Sequence, residues 1–186
     1  WGGEYLRFAG GVFTRVDHLR TFQLPGGEQA VREPRRSLLG VCAEMGRPEW
    51  ARPLFQDAEW RVLQVMLDKR LNAPLTSSMG RLFDAAAALL GLCPLSSFEG
   101  EAAMQLEFAA RQSSCQDTVP METDWAELML TLAESNRTVA DRAAMFHNAI
   151  ADSVVRIAEK HGLRQVLLTG GCFQNALLVE RAAGRL

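Results

Sequence analysis

The sequence predicts an α/β protein with a short β start, a largely helical middle and a strand–turn–helix close. Three observations carry that prediction. Residues 5–9 and 12–16 are two short runs flanking Gly10-Gly11, the pattern of a hairpin with a two-residue turn. From Glu28 to Lys160, apolar residues recur at helical spacing in segment after segment. Near the end, Val166-Leu167-Leu168-Thr169 runs into Gly170-Gly171, and a new apolar-periodic segment opens at Asn175 and runs through Leu178.

After the hairpin, residues 18–24 form a further extended run closed by Pro25-Gly26-Gly27. A helix is expected over 28–45, with Pro34 interrupting it or marking a new start. Residues 50–55 contain proline and read as irregular. Asp57 is a plausible N-cap for a helix to about Arg70, with Val62, Leu63, Met66 and Leu67 at helical spacing. Residues 72–78 form a loop. A helix over 80–90 follows, with Leu82, Phe83, Ala86, Leu89 and Leu90 on its apolar side and Gly91 as its natural C′ residue. Helices are expected over 98–111, 124–133 and 138–160, with a polar loop over 113–122. A strand over 165–169 and a final helix complete the order. No internal repeat or low-complexity tract is present.

Composition bounds the function. The chain has 186 residues, 48% of them hydrophobic, so it can bury a core as one domain or two small lobes. Net charge is −2 with both signs interspersed, and no basic stripe suggests nucleic-acid binding. No apolar run reaches the roughly 18 residues of a membrane span, and Trp1-Gly2-Gly3-Glu4 is no signal peptide. Cys42, Cys93, Cys115 and Cys172 are scattered without C-x-x-C spacing, which favours reduced thiols and a cytoplasmic setting. A start at Trp1 and an end in helix-like Ala183-Gly184-Arg185-Leu186 suggest a piece cut from a longer protein.

Several groups of residues have chemistry to offer. A glycine pair between strand and helix lets the main chain approach a ligand that a Cβ would block, and such a joint aims N–H groups at an anion. Most joints of this kind are ordinary tight turns. In Thr76-Ser77-Ser78-Met79-Gly80-Arg81-Leu82-Phe83-Asp84, hydroxyls precede a helix. Ser77 or Ser78 can simply cap it, or hold phosphate oxygens there. Asp84 lies one turn in, off the apolar stripe, as a solvated acid or as an acceptor for a ribose diol. Ser97-Phe98-Glu99-Gly100-Glu101 reads as a helix N-terminus, where a glycine weakens the helix but admits a flat ligand such as a base. His147 is a base or metal ligand on one reading and a satisfied boundary residue on the commoner one. His18 and His161 are less distinctive, and no histidine pair has metal-ligand spacing. No thiol has a histidine and an orienting acid near it in sequence. In Leu24-Pro25-Gly26-Gly27-Glu28 and Arg32-Glu33-Pro34-Arg35, the acids read as surface residues, whereas Arg32 and Arg35 are within reach of a phosphate or carboxylate.

Taken in order, the strings "WGGE", "LPGGEQAVREPRR", "LNAPLTSSMGRLFDAAAALLGL", "FEGEAAMQLE", "FHNAI" and "LLTGGCFQNALL" resemble one family over nearly the whole chain. It is the C-terminal carbamoyltransferase domain of the hydrogenase maturation protein HypF, related to the ATPases that attach threonylcarbamoyl groups to tRNA. "TSSMGRLFDA" and "EGEAAM" are the distinctive blocks.

The resemblance implies an actin-like, sugar-kinase-like (ASKHA) nucleotide-binding fold, incomplete here, with a largely helical insertion. Residues 1–186 would then be a partial carbamoyltransferase domain truncated at both ends. It implies chemistry with ATP, a divalent metal and carbamoyl phosphate. A carbamoyl-adenylate forms and the carbamoyl group passes to the C-terminal cysteine of the partner HypE, for the cyanide ligand of nickel–iron hydrogenase. Carried over, Gly170 and Gly171 would lie against the nucleotide with Asn175 near base or ribose. Asp84 would take ribose hydroxyls, Glu99 and Gly100 would border adenosine, and Ser77, Ser78 and Arg81 would belong to the same cleft.

The family's metal-binding histidine pair and an aspartate-rich glycine turn lie upstream of "WGGE", and an Asp-Gly-Gly turn lies downstream of Leu186. No metal ligand is therefore assigned within this sequence, and it is expected to be inactive alone and to self-associate through an exposed apolar sheet face or edge. Two alternatives stay open: a small-molecule O-carbamoyltransferase, and a non-catalytic fragment that docks the partner.

Overall fold

A computed structural model describes residues 2–186. Trp1, which opens the Trp-Gly-Gly-Glu string, lies outside the described residues. The architecture is α/β with many helices and few strands: two two-stranded antiparallel sheets and eight α-helices among the described residues. The chain divides into two compact units.

The first unit gathers the chain up to Arg20, Ser77–Met79 and Glu107–Leu186. It opens with the predicted hairpin, β1 (Glu4–Ala9) against β2 (Val12–His18). Gly10 and Gly11 have φ of 58° and 81°, the two left-handed residues that a tight hairpin turn requires. The hairpin's apolar side chains stay outside: Phe8 is 62% and Phe13 70% exposed, their rings 4.7 Å apart. The core of this unit lies on α6 (Ala126–Glu134), α7 (Val139–Lys160) and α8 (Ala176–Ala183). The apolar residues of α7 recur at helical spacing: Ala143, Phe146, Ile150, Val154 and Ile157 are buried and Val139, in the first turn, is half-buried, and Leu178 and Ala182 of α8 are buried in the same unit. Trp125, fully buried, donates its indole N–H to the Arg20 carbonyl at 2.7 Å.

One predicted element of this unit is absent. Residues 165–169 form no strand, and Leu167 is 86% exposed. Apolar, branched composition favours a strand, but a strand exists only through pairing, and no described strand hydrogen-bonds to this segment. A 3₁₀ turn, Gly171–Gln174, fills the joint, and α8 starts at Ala176.

The second unit comprises Thr21–Thr76 and Gly80–Leu106. The extended run predicted before Pro25 narrows to β3 (Phe22–Gln23), which pairs with β4 (Leu75–Thr76) inside the predicted loop. Pro34 does mark a new start: α1 (Gln29–Arg32) ends before it and α2 (Pro34–Glu44) begins on it. Where residues 50–55 were expected to be irregular, two 3₁₀ turns form, Pro48–Trp50 and Arg52–Leu54. In α3 (Asp57–Lys69), Gln56 rather than Asp57 holds the N-cap conformation. Asp57 is the first helical residue, where its charge complements the helix dipole. Its carboxylate pairs with Arg52. In α4 (Met79–Leu89), Leu82, Phe83 and Ala85 to Ala88 are buried, and Gly91 follows with φ 72°. The last helix that starts here, α5 (Glu101–Ala110), begins three residues later than predicted. A Cβ on Gly40 would lie 1.8 Å from the Gln23 carbonyl oxygen, so α2 meets the main chain of β3 directly.

Candidate functional site

The nine candidate residues fall into two groups. Arg81, Asp84, Glu99 and Gly100 belong to the second unit; Ser77, Ser78, Gly170, Gly171 and Asn175 belong to the first.

In the second unit, Asp84 is only 4% exposed and so is no solvated surface acid. Arg81, one turn earlier on α4, places a guanidinium nitrogen 2.9 Å from Asp84 Oδ2, at an angle that makes an ion pair without a hydrogen bond. Burial pushes the Asp84 carboxyl up to about 7, and the nearby Arg81 charge only partly offsets it. A carboxylate so poorly solvated gains from any ligand hydroxyl that donates to it. Gly100 precedes α5 with φ 85°, and a Cβ there would meet nothing within 4 Å. Glu99 is exposed beside it. Glu101 reaches back to accept from the backbone N–H and the hydroxyl of Ser97 at 2.6 and 2.7 Å. These hydrogen bonds hold its carboxyl below the usual range. Ser97 and Glu101 thus tie down the turn that presents Glu99 and Gly100.

In the first unit, Ser77 is buried and donates its hydroxyl to Glu4, whose other carboxylate oxygen is 3.1 Å from Arg15. A Cβ on Gly3 would approach the Ser77 carbonyl oxygen to 2.3 Å, and one on Gly2 would lie 3.2 Å from Ser78 Oγ. The glycines of the first string therefore serve the serines of the third: they let β1 begin against the Ser77–Ser78 main chain.

Gly170 has φ 94° and ψ 169°, a conformation that favours glycine, and apart from its chain neighbours none of the described residues lies within 4 Å of where its Cβ would be. Gly171 has no such backbone demand, and its Cβ position is also open. Neither packing nor conformation calls for glycine at 171.

The helix N-terminus beyond the pair is already occupied by protein groups. Leu177 N–H donates to Glu107 Oε1 at 3.2 Å, and Leu178 N–H donates to Asn175 Oδ1 at 2.9 Å. A resident carboxylate thus stands where the sequence suggested an anionic ligand. Asn175 is buried and its amide nitrogen lies 3.1 Å from His147 Nε2. His147 is fully buried, with Nδ1 2.8 Å from the Ala143 carbonyl oxygen. Both ring nitrogens are engaged, which excludes the roles of general base and metal ligand and leaves the satisfied core histidine.

Arg35 is not available for a phosphate either. It joins Glu33, Arg36 and Glu59 in a partly buried four-charge cluster, with Arg35 to Glu59 at 2.9 Å and Arg36 to Glu33 at 2.9 Å. Glu33 is 9% exposed, so the surface reading made for it is corrected: two guanidinium groups offset its desolvation. Burial pushes the thiols of Cys42, Cys93 and Cys172 up, Cys42 to about 12, and none has the setting of a nucleophile. Among the described residues, no group of three or more His, Cys, Asp or Glu side chains could hold a metal ion. Among the same residues no helix is long and apolar enough to cross a membrane.

Known proteins match this chain end to end. The family model described as "Carbamoyltransferase, Kae1-like Domain, second subdomain" matches residues 1–186. The carbamoyltransferase HypF of Rhodobacter capsulatus is 40% identical over 96% of the chain, and that of Synechocystis is 32% identical over 96%. Only 25% and 27% of those two proteins are covered, so the chain spans about a quarter of their length. A crystal structure of full-length HypF in the phosphate- and nucleotide-bound form superposes with a TM-score of 0.82 at 29% identity, covering 94% of this chain and 25% of that one. The structure of HypF from T. kodakarensis gives 0.81 at 27% identity, covering 93% and 26%.

Proposed function

The chain belongs to the family of the second subdomain of the Kae1-like carbamoyltransferase domain, and we propose on that basis that it forms part of the nucleotide site of an ATP-dependent carbamoyltransferase. One observation carries the reading: Asp84 is a buried carboxylate with an ion-pair neighbour and no hydrogen bond to Oδ2, which suits an acceptor for ribose hydroxyls. The open positions at Gly100 and Gly171, where a ligand can approach main chain, support it. So does the likeness to a HypF solved with phosphate and nucleotide bound.

In this reading the actin-like, sugar-kinase-like fold is completed by sequence outside the chain. Asp84 takes the ribose, Glu99 and Gly100 border adenosine, and Gly170 and Gly171 lie along the phosphates. Arg81 orients Asp84. The Ser77 hydroxyl is committed to Glu4, so Ser77 offers a ligand only its backbone. Asn175 acts from behind the turn rather than on the base, because its amide is engaged at both ends. The divalent metal that accompanies ATP finds no ligand cluster among the described residues.

In this reading water first cleaves carbamoyl phosphate to carbamate and inorganic phosphate; a carbamate oxygen then bonds to the α-phosphorus of ATP as the bond to the β-phosphate breaks and pyrophosphate leaves. The C-terminal thiolate of HypE then attacks the carbamoyl carbon and AMP leaves. The chain's contribution is to bind and orient the nucleotide. Calorimetric titration of ATP into the full-length enzyme tests the assignment. Asp84→Asn should weaken binding by at least about tenfold, the scale of a lost charge-assisted hydrogen bond. Unchanged affinity would remove Asp84 from the site.

A further inference from the structure

The buried contact between His147 on α7 and Asn175 ahead of α8 fixes more than packing. Asn175 Oδ1 accepts from Leu178 N–H, so the other end of the amide, facing His147, is its NH₂ group. An amide nitrogen donates and does not accept. His147 Nε2 must therefore be the bare, accepting nitrogen, and the ring's proton must sit on Nδ1, where it donates to the Ala143 carbonyl oxygen 2.8 Å away. Each of the three hydrogen bonds dictates the polarity of the next, and only the neutral Nδ1–H ring satisfies all of them.

We infer that His147 is a positioning residue for the glycine turn: its neutral Nδ1–H ring locks the Asn175 amide, and Asn175 then holds residues 170–174 against the start of α8. The Asn175 N–H donates to the Cys172 carbonyl oxygen at 3.2 Å and the Phe173 N–H to the Gly170 carbonyl oxygen at 3.2 Å, so an anchor at Asn175 is transmitted through the 3₁₀ turn to the glycine pair. Glu107 fastens the adjoining N–H of Leu177 and is itself 2.9 Å from Arg111. Arg181, beyond it on α8, donates to the Ala144 carbonyl oxygen at 2.7 Å. The Glu107 contact ties the start of α8 to α5 and the Arg181 contact ties α8 to α7, whereas the His147–Asn175 bond holds the residue at which the 3₁₀ turn ends. The consequence for ligand binding rests on the reading of Gly170–Gly171 as a nucleotide contact. The clamp itself does not.

Two variants test it. Asn175→Asp keeps an oxygen for Leu178 N–H but turns a carboxylate oxygen toward Nε2. Nitrogen-15 NMR of the ring should then show imidazolium at neutral pH, where the unmodified chain shows the Nδ1–H tautomer. His147→Leu removes the acceptor. Amide hydrogen exchange at residues 171–178 should rise about tenfold while α6 and the middle of α7 keep their protection. In the full-length enzyme the KM for ATP should rise by a similar factor with kcat little changed, and His147→Gln, which retains an acceptor, should restore part of it. A neutral Nδ1–H ring in Asn175→Asp, or unchanged exchange over 171–178 in His147→Leu, overturns the clamp. Faster exchange with an unaltered KM for ATP leaves the clamp standing and removes the glycine turn from the nucleotide site.

Discussion

Arg81 and Asp84, one turn apart on α4, form a 2.9 Å ion pair in which the acid is buried and still holds its proton more tightly than a free aspartate. Burial outweighs the arginine. A site of this kind stores a carboxylate whose cost is relieved when ligand hydroxyls donate to it.

That cost gives a pH signature. The Asp84 carboxyl sits at about 7 in the fold against an ordinary value of 3.8. The folded state therefore binds the proton more tightly than the unfolded one. Its contribution to stability is complete below pH 3.8 and is lost as pH rises through about 7. Asp84→Asn, which does not ionise, escapes this loss. The melting temperature of Asp84→Asn relative to the parent should climb between pH 5 and pH 8, by a few degrees. A difference that is flat with pH would show that Asp84 is not buried as described.

Gly40 should tolerate no side chain. The Gln23 carbonyl oxygen occupies the space at 1.8 Å, and it is main chain of β3, held by pairing to β4. Gly40→Ala should destabilise by at least about 2 kcal/mol by chemical denaturation, through forced separation of α2 and β3. Gly91→Ala, where space is open but φ is 72°, should cost about 1 kcal/mol through backbone strain alone.

The Glu33 cluster predicts sensitivity to acid. Burial would raise the Glu33 carboxyl, but hydrogen bonds from Arg36, Gln29 and Arg35 prevail and bring it to about 2 from an ordinary 4.5. Its stabilisation is present above pH 4.5 and lost as pH falls towards 2. Glu33→Gln, which leaves Arg35 and Arg36 with Glu59 alone, should cost about 2–4 kcal/mol at pH 7. That deficit should shrink at pH 3. Equal loss at both values would mean the charge is not what matters.

The hairpin carries an apolar patch. Leu6, Phe8, Val12 and Phe13 are each at least half exposed on a two-stranded sheet with open edges. The 186-residue chain should self-associate as its concentration rises. Phe8→Thr with Phe13→Thr should reduce that association in light scattering. A clean monomer before substitution would refute the expectation.

Much of this was legible in the sequence where cause and effect lie close together along the chain. Gly10-Gly11 announces the hairpin, Pro34 divides α1 from α2, and the α7 stripe marks one side of a core. The strand expected over 165–169 failed because pairing is non-local: composition states a preference, and the partner decides. At the candidate site, Asp84 could be singled out by its place in the helix. Its burial could not, because that depends on what packs around α4. Asn175 was named for a ligand contact, yet its amide meets His147, 28 positions away. Glu33 looked like a surface charge, and the carboxylates that Arg35 reaches could not be named, because Glu59, which completes their cluster, lies on a different helix. In each case the missing information was a contact distant in sequence, which local patterns do not encode.

The central claim is that this chain helps hold ATP for carbamoyl transfer. It is tested most directly by carbamoyl-phosphate-dependent exchange of labelled pyrophosphate into ATP, in the full-length enzyme bearing Gly171→Ala, with Asp84→Ala alongside. The new methyl at 171 meets no protein atom within 4 Å, so the fold should be retained. The account predicts that exchange falls by at least about tenfold in both variants, the loss expected when a nucleotide contact is removed. Exchange at the parental rate in both would contradict it.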